Sequence, residues 1–440
     1  MLNIVIPDNN IPEREYIVRS LFFDYLGLQY NVTVNDADMN YSIEFDRSEL
    51  VIKDYFFGLY PDTHSYLTTD SLPKKIVYTK NEFTTENDIP VIYGTDEFYV
   101  AENRIICGID IFASSFFMLT RWEEYVNMAR DEHTRFPGSA STAFKNHFLH
   151  RPVVNEYVEM LWRMLQKLGY KGERTQRCFE LVLTHDVDHL DYPKTHKIIF
   201  GDILKRKNLK LAQNHFKSFL KSGSNPYDTF DFIMTSSEKL GLKSHFYFLS
   251  SNSKLPRDPD FYLRSKRFNN KIQEIKRRGH IIGFHPGYYT FNDLEKWSTE
   301  KQSLENAVQD TIVEGRQHYL RFDISKTFDI WNKNDMEIDS TLGYARNEGF
   351  RCGTGDIFTV FDFLERAQIN VNERPLIIMD GTLRQYQQYS QEQAIEIILY
   401  YISVGKRYNT LITLLFHNSS FYGEWEGYGS IYEEILNMQV

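Results

Sequence analysis

The chain has 440 residues, 42% hydrophobic and 25% charged, a balance that excludes a disordered or fibrous protein and leaves length for two domains. Its formal charge of −10 argues against a nucleic-acid partner, because phosphate binding draws on clustered Lys and Arg. Three cysteines, Cys107, Cys178 and Cys352, are scattered without CxxC spacing and indicate neither a disulfide framework nor a zinc knuckle. The N-terminus MLNIVIPDNN lacks the basic and apolar regions of a signal peptide, and no apolar run approaches membrane-spanning length, so a cytoplasmic protein without a membrane anchor is expected.

In the first hundred residues, short apolar runs at 3–6, 41–45, 50–52, 75–79 and 91–93 alternate with helical periodicity such as 13–25, the pattern of an α/β or α+β domain. From 109 to about 164 the pattern is helical, carrying Phe112, Phe116, Phe117 and Leu119 and then Arg121-Trp122-Glu123-Glu124-Tyr125. A polar link at 171–177 places a boundary between a smaller α/β domain, 1–172, and a second domain, 173–440. The basic stretch Lys205, Arg206, Lys207, Lys210 reads as a solvated helix face.

Beyond the link, short apolar strands alternate with amphipathic helices, the signature of parallel βα units. Strands are expected at 180–184, 244–249, 280–284, 318–322, weakly at 336–339, 376–379 and 411–416. A helix at 264–278 aligns Phe268, Ile272 and Ile275 and stops at Gly279; another starts at the capping-box pair Ser390 and Gln393 and ends at Gly405. Seven such units predict a closed or nearly closed (β/α)7 barrel, with chemistry where the strands end.

Those ends are rich in ionisable residues: Thr184-His185-Asp186-Val187-Asp188-His189, Gly283-Phe284-His285-Pro286, Leu320-Arg321-Phe322-Asp323 and Leu415-Phe416-His417-Asn418. Alternation along a strand turns Asp186 and Asp188 to one side, and two carboxylates sharing a pocket call for a cation or an arginine between them. Taken singly, an Asp-x-Asp after a strand is a helix cap and a strand-end histidine is structural. Four such signals at one edge of a βα array point to an active site.

Residues 180–440 resemble the polysaccharide deacetylases, carbohydrate esterase family 4. Gly279-His280-Ile281-Ile282-Gly283-Phe284-His285 is the most specific match, with Thr184-His185-Asp186-Val187-Asp188 and Leu414-Leu415-Phe416-His417 as the first and last motifs. Arg316-Gln317-His318-Tyr319-Leu320-Arg321-Phe322, Asp339-Ser340-Thr341-Leu342-Gly343-Tyr344 and Gly349-Phe350-Arg351-Cys352-Gly353-Thr354 look like the branch found with capsule and lipopolysaccharide gene clusters, in which another domain precedes the barrel.

The resemblance implies a deformed barrel that removes an N-acetyl or O-acetyl group from an amino-sugar-containing saccharide. It implies a divalent metal, zinc as first choice, on Asp188 and His285. Asp186 would be general base, Arg321 would hold and orient its carboxylate, and His417 would protonate the leaving group. Asp339, Tyr344, Arg351 and Asp380 are expected at the substrate, and His318, Tyr319, Phe358 and Trp425 are candidates for a sugar cleft. Two positions depart from the family. Tyr289 stands where a second metal-binding histidine is usual, and Val187 where a metal-binding aspartate is usual. The third ligand is open among Tyr289, Asp323, His189 and water, and His280 is expected at the barrel floor. Two alternatives remain: a non-catalytic carbohydrate-binding pseudo-deacetylase, and a hydrolase of C–N bonds in non-sugar amides.

Overall fold

The computed structural model describes residues 1–36, 39–192, 204, 225–251, 255–258 and 263–438; the basic stretch Lys205 to Lys210 lies outside them. The chain is mixed α/β. Eight strands come first: β1 Leu2–Pro7, β2 Tyr30–Asn35, β3 Tyr41–Phe45, β4 Ser48–Ile52, β5 Val77–Thr79, β6 Ile89–Val91, β7 Gly94–Val100 and β8 Arg104–Ile109. Six of them form a mixed sheet in the order β2-β1-β3-β4-β8-β7, and β5 and β6 make a separate ribbon. The strands that the apolar runs did not announce include β2 and β7, which lie at the sheet's edges and are largely exposed.

Nine further strands follow: β9 Glu180–Val187, β10 Ser244–Leu249, β11 Ile281–His285, β12 Glu314–Gly315, β13 Ile338–Asp339, β14 Phe358–Asp362, β15 Ala367–Glu373, β16 Ile378–Met379 and β17 Leu411–Leu415. Their order is β14-β15-β13-β12-β11-β10-β9-β17-β16, and every pair is parallel except β14 with β15. The strand expected at 318–322 is instead the two-residue β12, and the β14–β15 hairpin was not expected at all. Ser390 and Gln393 form the capping box, but the helix they open runs through Gly405 to Tyr408. Gly405 serves close packing, since a Cβ there would meet Ile412 and Phe179 at 2.7 and 2.8 Å.

The nine-stranded sheet is strongly curled. β9 and β12 are three strands apart, about 14 Å in a flat sheet, yet Asp186 at the end of β9 bonds Arg316 just past β12 at 2.8 Å. Among the described residues no strand pair joins β13 to β16. The loop after β13 lies in that gap, where Gly349 N donates to Ile377 O at 3.0 Å and a Cβ on Gly343 would meet Leu376 O at 2.7 Å. The strand pairing that would close the expected (β/α)7 barrel is thus absent among the described residues, and a loop stands in the gap. Gly279, at φ 75°, ends the helix Lys266–Arg277 and turns the chain into β11.

The largest hydrophobic cluster spans both sheets, and a second one packs the helices Gln391–Tyr408 and Tyr428–Asn437 against β9 and β17. Tyr16 stacks on Phe361 at 4.8 Å and Phe116 meets the same ring at 5.6 Å, so the β14–β15 hairpin packs against helices of the first half. Beside it lies a buried ion cluster. Arg121 reaches Glu123 at 2.9 Å and Glu124 at 3.0 Å, and Arg351 takes both oxygens of Glu124. No helix among the described residues is long and apolar enough to cross a membrane.

Candidate metal centre

The register of the central strands lines up the polar strand ends. Val187 sits level with Phe248 of β10, and His285 at the end of β11 sits level with Leu249, so His285 lies opposite the position of Asp188 two strands away. Gly283, two residues earlier and level with Tyr247, is required by close packing, because a Cβ there would stand 2.4 Å from the Tyr247 ring. That ring carries the Arg316 guanidinium, 5.1 Å from its centroid, and from there Arg316 reaches Asp186.

Three ligand atoms converge. Asp188 Oδ1 lies 3.2 Å from His285 Nε2 and 3.5 Å from His318 Nε2, and one ligand atom from each of the three residues falls within 4.8 Å of the others. Asp186 Oδ2 is 3.9 Å from His285 Nε2, and His417 Nε2 is 3.9 Å from Asp188 Oδ2.

The histidines are oriented from behind. His285 Nδ1 meets the carbonyl of Arg316 at 2.6 Å, and a carbonyl only accepts, so Nδ1 carries a proton and the neutral ring offers its lone pair from Nε2. His318 Nδ1 meets Asp258 Oδ1 at 3.0 Å, the carboxylate–histidine arrangement that fixes a metal ligand. Asp258 in turn accepts from Tyr288 N at 2.8 Å and Ser251 Oγ at 3.2 Å. His285 Nε2 and Asp188 Oδ1 are buried with no neighbour to satisfy them but each other, 3.2 Å apart. Buried polar atoms are rarely left so, and these two facing His318 Nε2 fit a divalent cation.

Charge at the site follows from these neighbours. Burial alone would raise the Asp188 carboxyl, but His318, His285 and His417 hold it well below the usual carboxylate range. Burial would lower His417; the Asp380 carboxylate, bonded to its Nδ1 at 2.8 Å, pushes it up to about 10 instead. His417 therefore carries a proton at neutral pH. His185 points away from the site, bonds Phe416 O at 2.8 Å, and is lowered by burial to about 3.

The cluster opens into a cavity of about 410 Å³, lined also by Tyr319, Tyr386 and Trp425. His133 and Arg135, from the first half of the chain, line it as well.

Residues 2–170 match a family of unknown function, DUF7033. No curated protein matches. Among solved structures the chain is similar to a candidate polysaccharide deacetylase of Mycobacterium smegmatis, with 14% identity and a TM-score of 0.39 over 60% of this chain and 86% of that one. It is similar to a mutant CE4-family pseudoenzyme with restored activity, with 9% identity and a TM-score of 0.30 over 60% of this chain and 64% of that one. A Streptococcus pyogenes deacetylase in complex with acetate is similar at 11% identity and a TM-score of 0.24, over 48% of this chain and 99% of that one.

Several expected residues stand elsewhere. Arg321 does not touch Asp186. It donates to the carbonyls of His133 and Tyr288 and to Thr134 Oγ1, sandwiched 4.0 Å from the Tyr288 and Phe291 rings, because β12 ends early and leaves Arg316 at the strand end. Tyr289 donates to Pro256 O at 3.0 Å, Asp323 caps its own turn through Ser325, and His189 stacks near Tyr227; none of the three joins the ligand cluster.

Tyr344 and Arg351 are buried against Arg121 and Glu124, away from the cavity lining. Asp339 is buried beside Glu373 and accepts from Thr341, with burial raising its carboxyl to about 7. Asp380 lies behind His417. Phe358 is in the core, while His318, Tyr319 and Trp425 do line the cavity. His280 accepts from Ser244 N at 2.9 Å at the opposite edge of the sheet.

Proposed function

We propose that the chain is a metal-dependent hydrolase that removes an N-acetyl or O-acetyl group from an amino-sugar-containing saccharide. In this reading residues 173–440 form the catalytic domain and 1–172 a second domain packed on it. The observation that carries the proposal is the convergence of Asp188 Oδ1, His285 Nε2 and His318 Nε2 at the head of a cavity, the first two buried with no other neighbour to satisfy them. Asp188, His285 and His318 would hold the ion, and a carboxylate with two imidazoles suits zinc. The chemistry supplied by such an ion is that of a Lewis acid toward an acyl carbonyl.

The protein's own groups handle the protons. Asp186 Oδ1 is fixed by Arg316 and its Oδ2 faces the cluster, so Oδ2 takes a proton from the attacking water as the hydroxyl adds to the acyl carbon. His417 Nε2 faces the same space and gives its proton to the sugar nitrogen or oxygen as the acyl bond breaks. Asp380 keeps the His417 ring turned that way. The Gly279 to His285 motif and the aromatic lining of the cavity support a saccharide over a non-sugar amide.

His318 favours this reading over a non-catalytic module, since the ligand missing at Tyr289 has a counterpart from a neighbouring strand end. The test is acetate release from N- and O-acetylated amino-sugar oligomers by the zinc-loaded protein. Release should fall about 100-fold or more in Asp186→Asn. Undiminished turnover in that variant, or no release from any such sugar, contradicts the proposal.

A further inference from the structure

The cavity is asymmetric in charge. Among the described residues its lining holds no carboxylate beyond Asp186 and Asp188, while His133, Arg135 and Arg257 stand together on one wall. The chain as a whole carries −10, so an anionic ligand has to be drawn in by a local positive surface. Arg135 is braced by Asp131 at 2.8 Å and by the Tyr319 carbonyl at 3.0 Å. Arg257 differs: it is exposed, and among the described residues it makes no ion pair.

Its guanidinium lies over the rings of Tyr288 and Tyr319, 5.5 and 5.6 Å from their centroids. Stacking of this kind holds an arginine in place, and beyond the N–H group directed at the Tyr319 hydroxyl its in-plane N–H groups remain for a ligand. Tyr319 in turn contacts the His318 ring at 4.7 Å, so only one aromatic ring separates Arg257 from a proposed metal ligand.

The wall is held in costly backbone geometry. Thr134, Arg257, Tyr319 and Leu320 all have positive φ, at 60°, 83°, 61° and 54°, and none is glycine. Such residues cluster where a site is preorganised. Three separate chain segments are bent this way to build one wall of one cavity.

We propose that this wall is a subsite for an anionic group on the saccharide, a phosphate or a carboxylate adjoining the acyl-bearing sugar, with Arg257 as its principal contact and residues 131–136 of the first half as its support. This rests on the saccharide reading above and narrows it from neutral to acidic acyl-sugars. It also gives the first half of the chain a part in substrate selection, because His133 and Arg135 come from it.

The experiment is titration calorimetry on full-length, chelator-treated Asp186→Asn protein, which binds without turnover. The probes are N-acetylglucosamine, its 1-phosphate, its disaccharide with glucuronic acid, and inorganic phosphate. At least one acidic sugar should bind about tenfold more tightly than the neutral one, with an advantage that shrinks as salt is raised. Arg257→Gln should close that gap and Arg257→Lys should restore part of it. Equal affinity for acidic and neutral sugars, or an advantage that survives Arg257→Gln, overturns the proposal and leaves the saccharide reading in place. Arg257-dependent binding of phosphate with no binding of any sugar supports the anion subsite and counts against the saccharide reading. Near-ultraviolet dichroism of the Arg257 variants, expected to match the parent, separates lost contact from lost structure.

Discussion

Arg316 donates from Nη1 to Asp186 Oδ1 at 2.8 Å, with both side chains essentially excluded from solvent. The same guanidinium donates to Ser340 O at 2.8 Å and Ser340 Oγ at 3.0 Å, so it is held from two sides and holds Asp186 in turn. Removing one partner of a buried pair strands the other. Arg316→Met should therefore destabilise the protein by about 3–5 kcal/mol. In the double variant with Asp186→Asn the loss should be smaller than in Arg316→Met alone. Urea unfolding measures both, and a cost below about 1 kcal/mol for Arg316→Met would mean that the pair does not hold the site.

Asp258 should govern metal affinity without touching the metal. It orients His318 through Nδ1, and loss of such a support typically costs about 10–100-fold in affinity. Asp258→Asn is expected in that range, His318→Ala beyond it, and Tyr289→Phe at wild-type affinity. Competition with a calibrated chelator separates the three. Weakened binding in Tyr289→Phe alone would restore the ligand set that the family pattern suggests.

The His417–Asp380 pair makes stability depend on pH in a defined direction. His417 is raised from 6.5 to about 10 in the folded state. Its contribution is complete below pH 6.5 and is lost as pH climbs toward 10. Asp380, lowered by the same partner, contributes above its ordinary value of 3.8 and loses that contribution only under more acid conditions. The gap in unfolding free energy between wild type and Asp380→Asn should be widest near pH 5–6 and narrow steadily toward pH 10. The alkaline limb of the activity profile should move to lower pH in the variant. A gap that widens toward alkaline pH reverses the sign and removes the pair from the account.

The halves of the chain should not separate cleanly. Phe361 is covered by Tyr16 and Phe116, and Arg351 has its carboxylate partner in Glu124. A chain beginning at 173 would expose that apolar surface and leave Arg351 uncompensated. It is expected to be insoluble or loosely folded by near-ultraviolet dichroism, and in the full chain Glu124→Gln should cost about 3–5 kcal/mol. A sharply folding 173–440 fragment would show the contact to be dispensable.

The long βα units were legible because their strands are continuous apolar runs and their helices are capped and amphipathic. β10 falls where the sequence places it, and Asp186, Asp188, His285 and His417 follow from strand ends and alternation. Short strands were not legible. β12 is two residues long, too short for any periodicity, and placing a strand at 318–322 moved the strand end from Arg316 to Arg321 and put His318 in the sugar cleft instead of among the metal ligands. The signal was present: Arg316 and His318 repeat the every-second-residue spacing of Asp186 and Asp188 after an apolar pair, Ile312-Val313. Tyr344 and Arg351 were placed at the substrate because they lie in motif segments, but the partners that bury them, Arg121 and Glu124, are more than 200 residues away and only the fold brings them together.

The account turns on a cation held jointly by Asp188, His285 and His318. Anomalous diffraction at the zinc edge, on crystals of the zinc-loaded protein, tests it most directly. One peak within about 2.0–2.2 Å of Asp188 Oδ1, His285 Nε2 and His318 Nε2 is the predicted result. A peak that leaves His318 uncoordinated, or no peak between these three side chains, would contradict it.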